Sequence, residues 1–153
     1  MRSRSESLEF ALLGLLSQGA LHGYELRKRM SAIYGPFRAL SFSVLYPQLR
    51  KMVEAKLIEQ SFTDAGGLSR RSRIVYELTA KGRERFSSLM QNASPDSFED
   101  EGFEVRFAFF GPTPRNNRVR ILEGRHRRLL EKAEVIRKDL SKIPEGIDTY
   151  LVE

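Results

Sequence analysis

Ser41-Phe-Ser-Val-Leu-Tyr-Pro-Gln-Leu-Arg-Lys-Met-Val-Glu-Ala-Lys-Leu-Ile58 is the stretch that decides how this chain folds. Leu45, Leu49, Met52 and Val53 recur at i, i+4, i+7 and i+8, the spacing of one buried helical stripe. The opposite face carries Ser43, Tyr46, Pro47, Arg50, Lys51 and Glu54, with Gln48 at its flank. Hydroxyls, an amide and two cations are the groups that meet base edges and phosphates. Ser43 is the expected N-cap, which puts Pro47 in the first turn, where a missing N–H costs little.

Two helices are expected upstream. Ser5 or Ser7 caps the first, near Glu6, and Gly19 ends it. Leu8, Leu12, Leu15 and Leu16 form its inner stripe, while Phe10 and Leu13 make a second apolar face that asks for another partner. The second helix starts near His22-Gly23-Tyr24, buries Leu26, Met30, Ile33 and Tyr34, and closes at Gly35-Pro36. Arg27, Lys28 and Arg29 turn toward water or phosphate.

Downstream, Ile58 and Phe62 alternate on one strand and Ile74, Tyr76 and Leu78 on another. Between them lies a Gly-containing basic tip with Arg70, Arg71 and, at its end, Arg73. Thr79 then caps a fourth helix from Ala80 to about Met90, with Phe86, Leu89 and Met90 inward. The order α-α-α-β-β-α is that of a winged helix-turn-helix. In that unit the third helix can enter a major groove while the hairpin lies over flanking phosphates. Charge agrees: residues 1–90 carry 15 Lys+Arg against 8 Asp+Glu, and residues 91–153 carry 11 against 12. The basic excess therefore belongs to the first part, as in a polyanion-binding unit followed by a near-neutral one.

Three segments carry a more specific likeness. LGLLSQGALHGYELRKRM, SFSVLYPQLRKMVEAKLIE and VYELTAKGRERF agree in order and distance over about residues 8–86, and together they resemble the PadR family of bacterial transcriptional regulators. The resemblance implies a homodimeric repressor that binds a palindromic operator in double-stranded DNA. Carried over by position, its DNA contacts are Ser41, Ser43, Tyr46, Gln48, Arg50 and Lys51 on and before the third helix. Tyr24 joins them from the second helix, and Arg70, Arg71 and Arg73 from the wing.

The resemblance extends, less specifically, to the longer members with a C-terminal helical dimerisation domain. The fold expected is thus mainly α with a small β-hairpin. A winged helix-turn-helix DNA-binding domain spans 1–91, a linker and short connecting element 92–113, and a helical dimerisation domain 114–153. Thr113-Pro114 reads as an N-cap followed by proline at the first helical position, opening a helix to about Lys142. Val119, His126, Ala133 and Leu140 recur every seven residues, as do Leu122, Leu129, Ile136 and Ile143, a heptad seam with His126 as its polar flaw. The dimerisation set is Leu122, Leu129, Ala133, Ile136, Leu140 and Ile143, with Phe10 and Leu13 as candidates to pack against it from the same or the other chain. After the turn at Pro144, the segment from Ile147 runs about two turns, where longer tails of this type return with a full-length helix; the domain is expected to be cut short.

Composition excludes several chemistries. The 153 residues include no Cys and no Trp, so disulfides, thiolate nucleophiles and cysteine metal sites are ruled out. His22 and His126 are the only imidazoles, far apart and without a second ligand at i+3 or i+4, so no metal or other cofactor is expected. His22 is read as a helix-start histidine satisfied by backbone. No nucleophile elbow, phosphate-cradling Gly loop or zincin motif occurs, and the protein is not expected to be an enzyme. With no apolar run near the ~18 residues that span a bilayer, a cytoplasmic location and no membrane partner are expected. Phe103, Phe107, Phe109 and Phe110 invite an aromatic pocket. The family adds a small aromatic effector as a partner, since some members respond to phenolic acids or drugs; plain packing is the commoner use of such residues. The competing reading of the whole chain is a non-catalytic winged-helix and coiled-coil module that binds protein, which would call for an uncharged outer face on the third helix.

Overall fold

The computed structural model describes residues 2–35, 42–63 and 73–144. The order is α1 (Arg2–Leu16), β1 (Leu21–His22), α2 (Gly23–Tyr34), α3 (Phe42–Glu54), β2 (Ile58–Thr63), β3 (Arg73–Leu78), α4 (Ala80–Gln91), a 3₁₀ turn (Pro95–Phe98), α5 (Asp100–Ala108) and α6 (Arg115–Ser141). The chain is mainly helical with one small antiparallel sheet in the order β1-β3-β2.

Helix α1 is the spine of the core. Leu8, Phe10, Ala11, Leu12, Leu13, Leu15 and Leu16 are all buried, and the helix touches α2, α3, α4, α5 and β3. A helix buried almost all round needs apolar residues on every side, which is why its sequence shows two apolar faces. It begins at Arg2, ahead of the caps expected at Ser5 or Ser7, and Ser5 instead donates its hydroxyl to Gln48 Oε1 at 3.1 Å.

Phe10 and Leu13 therefore need a correction. Both are fully buried within the single chain. Phe10 packs against Phe86 of α4 and Phe109 just past α5, at ring separations of 5.2 and 5.5 Å. The partner of this second face is the protein's own α4–α5 layer, so neither residue is available to α6 of a second copy.

The sheet holds the base of the hairpin to the core. Ile58 pairs with Leu78 and Phe62 with Ile74. Ile58, Tyr76 and Leu78 are buried, but Phe62 is 66% exposed, because the strands run out past the helices before they reach it. β1 adds two residues, Leu21 opposite Tyr76 and His22 opposite Val75. His22 pairs through its backbone, yet its buried Nδ1 finds no hydrogen-bond partner among the described residues, contrary to expectation.

Thr79 ties the turn after β3. Its Oγ1 accepts from Gly82 N at 3.0 Å, capping α4, and donates to the Leu57 carbonyl at 2.9 Å. Residues 92–113 carry more order than their composition indicates. Helix α5 packs against α1 and α2, and the 3₁₀ turn against α5 and α6; Val105 and Phe109 are buried. Arg106 is buried too. Its guanidinium donates to the Leu89 carbonyl and lies 4.1 Å over the Phe10 ring, and burial pushes its pKa below the ordinary arginine value. Thr113 does not cap α6. Its hydroxyl turns back to the Phe109 carbonyl at 2.6 Å, and Pro114 holds the cap position.

Candidate nucleic-acid interface

The fold presents α3 as expected in its main division. Leu45, Leu49 and Met52 are fully buried, while Ser43, Pro47, Arg50, Lys51 and Glu54 are exposed. Among the described residues neither Arg50 nor Lys51 makes an ion pair. Two cations one residue apart on an exposed helix face, held by no carboxylate, can accept phosphate without first breaking an internal bond. Helix α3 opens at Phe42, one residue ahead of the expected cap. Pro47 thus lies inside the helix rather than in its first turn and donates nothing to the turn before it.

Gln48 departs from the expectation. It is 8% exposed and accepts the Ser5 hydroxyl. It sits one residue, about 100°, round the helix from Leu49. That is near enough to the inner stripe for α1 to cover it, and the amide is spent inside the protein. It does not belong to the outward-facing set.

Tyr46 is half-buried. Its hydroxyl comes within 3.3 Å of where a side chain on Gly23 would begin, so the ring spans from α3 to the first turn of α2. Behind it is a cleft of about 310 Å³ between α3 and the strands, with Arg50 and Glu54 on one wall and Gln60 and Tyr76 on the other. Burial, and then the neighbouring Tyr46, push the Tyr76 phenol above its usual value. Tyr24, on α2, is 71% exposed.

Lys28 is exposed on α2, and Arg29 is exposed but paired with Glu25 at 3.2 Å. Ser41, Arg70 and Arg71 lie outside the described residues. Arg73 opens β3, and only its backbone position is described. The structure thus brings Tyr24, Ser43, Tyr46, Arg50 and Lys51 to the α2–α3 side of the molecule and takes Gln48 out of that group.

The C-terminal helix divides into two stripes. Asn117, Ile121 and Gly124 are buried against the body, and Asn117 Nδ2 donates to the Met90 carbonyl at 3.0 Å. Leu122, Leu129, Ile136 and Leu140 are exposed, Leu129 at 47% and Ile136 at 57%; Ala133 is half-buried, and Ile143, half-buried, falls just past the helix end. His126 is exposed among them. The heptad seam is therefore a different face from the one that docks α6 to its own chain.

The four phenylalanines near α5 split the same way. Phe109 enters the core with Phe10 and Phe86. Phe103, Phe107 and Phe110 form a separate outer cluster with ring separations of 5.1 to 6.5 Å, and Phe107 is exposed. They do not line one common pocket. Among the described residues no cluster of His, Asp or Glu is placed to hold a metal ion, and no helix is long and apolar enough to cross a membrane.

Comparison with known proteins adds to this geometry. The model of the transcriptional regulator PadR-like family matches residues 12–88. The negative transcriptional regulator PadR of Bacillus subtilis (strain 168) is 28% identical over 96 residues, 61% of this chain and 52% of that protein. The chain thus spans about half the length of that curated relative. The crystal structure of Bacillus subtilis PadR in complex with operator DNA superposes with a TM-score of 0.52 at 22% identity, covering 92% of this chain and 77% of that one. The X-ray structure of a PadR-like transcription factor from Bacteroides fragilis gives 0.52 at 19% identity, covering 59% and 82%. At these identities the two structures speak for the fold, which is the winged-helix fold read from the element order.

Proposed function

The chain belongs to the PadR-like family of transcriptional regulators, and from that membership we propose that it is a cytoplasmic, sequence-specific DNA-binding regulator, a homodimeric repressor of a palindromic operator. The observation that carries the reading is the outer face of α3, where Ser43, Arg50 and Lys51 are exposed and both cations are without ion pairs among the described residues. Such a face suits insertion into a major groove, with Arg50 toward base edges and Lys51 toward phosphate. Tyr24 and Tyr46 flank it. Arg70, Arg71 and Arg73 are assigned to the flanking phosphates from their place in the sequence.

The dimer is assigned to the exposed seam of α6. Four large apolar side chains on one stripe, each about half exposed in the single chain and each gaining roughly 1 kcal/mol when covered, make a solvent-facing helix costly and a paired one stable. Two-fold pairing along α6 gives two α3 helices related by the symmetry of an inverted repeat. Phe109 packs in the core apart from Phe103, Phe107 and Phe110, which favours plain packing over a shared site for a small aromatic effector. The charge on α3 weighs against the protein-interaction module.

The test is selection of bound duplexes from random DNA, followed by footprinting. An inverted repeat protected at two half-sites about one helical turn apart is the expected result. Retention of DNA without sequence preference, abolished by heparin, is the contrary one.

A further inference from the structure

We propose that the docking of α6 onto the 3₁₀ turn sets the half-site spacing that the dimer accepts, with Phe98, Asp100, Gly124 and Arg125 as the spacing-determining residues. The inference rests on the dimeric DNA-binding reading given above.

Helix α6 is held to its own chain as far as Lys132. The Phe98 ring lies over Gly124, where an added Cβ would meet ring carbons at 2.5–2.6 Å. Next to this contact Arg125 donates to the Phe98 carbonyl at 3.1 Å and pairs with Asp100 at 2.7 Å. Lys132 reaches Asp100 at 3.2 Å, and Arg128 reaches Glu99 at 3.2 Å. These three cations, at i, i+3 and i+7, form one row of the helix laid against one pair of carboxylates. Past Ala133 every residue to Lys142 is exposed. The rod therefore has a fulcrum at Gly124, a charged clamp from 125 to 132 and a free arm beyond.

That arrangement couples a small angle to a large displacement. Twelve residues separate Gly124 from Ile136, about 18 Å of helix. A tilt of roughly 10° there moves Ile136 by about 3 Å, close to the ~3.4 Å rise of one base pair. In a symmetric pair joined at the seam, the same tilt carries each α3 toward or away from the two-fold axis. The fulcrum and the clamp thus fix the separation of the two reading helices. A glycine at the fulcrum lets the rod lie close, and charge pairs that are partly exposed hold it without welding it.

The experiment uses duplexes that carry two copies of the selected half-site at every spacer across one helical turn, bound in competition and counted by sequencing. For the full chain one spacer should exceed its neighbours by about tenfold. The double variant Glu99→Gln/Asp100→Asn should flatten that profile to within about threefold, with affinity for a single half-site unchanged. Gly124→Ala should displace the preferred spacer rather than broaden it. Wild-type profiles from both variants would overturn the proposal. So would loss of single-half-site binding in either, which would mark these residues as supports of the DNA-binding unit. Should the unmodified protein bind paired half-sites no better than single ones, the dimeric reading itself fails and the proposal with it.

Discussion

The ring of Phe109 lies against Gly14 of α1 with no room for a side chain between them. This contact joins the segment after α5 to the spine of the winged unit, and Phe10 and Phe86 complete the cluster around it. Residues 1–91 are therefore not closed on themselves: part of their core is supplied from beyond residue 100.

Gly14→Ala should destabilise the protein by about 1–3 kcal/mol through overpacking. Phe109→Ala should cost about 3–5 kcal/mol by leaving a cavity. Urea unfolding of the full chain checks both. Midpoints unchanged by Phe109→Ala would show that the aromatic cluster is not part of the cooperative core.

Asp100 gives a pH prediction. Hydrogen bonds from Arg125 and then Lys132 hold its carboxyl below the ordinary value of 3.8. A depressed native pKa contributes stability that is present above 3.8 and lost as pH falls through the lower native value. Wild type should be more stable than Asp100→Asn near neutrality, and the gap should close in acid. Denaturation at pH 7 and at about pH 3 measures it; a gap independent of pH would contradict the assignment.

The wing makes a third case. Replacing Arg70 and Arg71 together by Ala should weaken binding to all duplexes alike and flatten the log–log salt slope by roughly 1.8, about 0.9 per phosphate contact. Fluorescence anisotropy across a salt series reads this. A loss confined to one sequence would instead make them base readers.

The seam makes a fourth. Leu129→Asp or Ile136→Asp should weaken self-association by about 30-fold or more, from the ~2 kcal/mol of lost apolar burial alone. Sedimentation equilibrium is the measurement, and an unaltered dimer would move the interface away from this stripe.

How much of this was legible in the sequence depends on how local each signal is. The buried stripe of α3, the Thr79 cap and the heptads of α6 are set by residues within a few positions of one another, and they read directly. Gln48 did not, because the group that takes it inward is Ser5, 43 residues away. Phe10 and Leu13 read correctly as a second apolar face, but nothing in the sequence says that α4 and α5 of the same chain cover it. The stretch from 95 to 108 showed no single stripe because its side chains divide: Val105 and Arg106 go inward while Phe107 faces out. Arg106 carries no signal of its burial beyond its place among phenylalanines. Strand β1, at two residues, is too short to show alternation.

Whether the outer face of α3 reads duplex DNA is tested most directly by selection from random DNA with the unmodified protein and with Arg50→Ala. The expected result is one enriched inverted repeat for the unmodified protein and a preference over random duplex that falls by about tenfold or more in the variant, consistent with ~1–3 kcal/mol for a base contact. The same repeat enriched equally by both proteins, or none enriched by either, would contradict it.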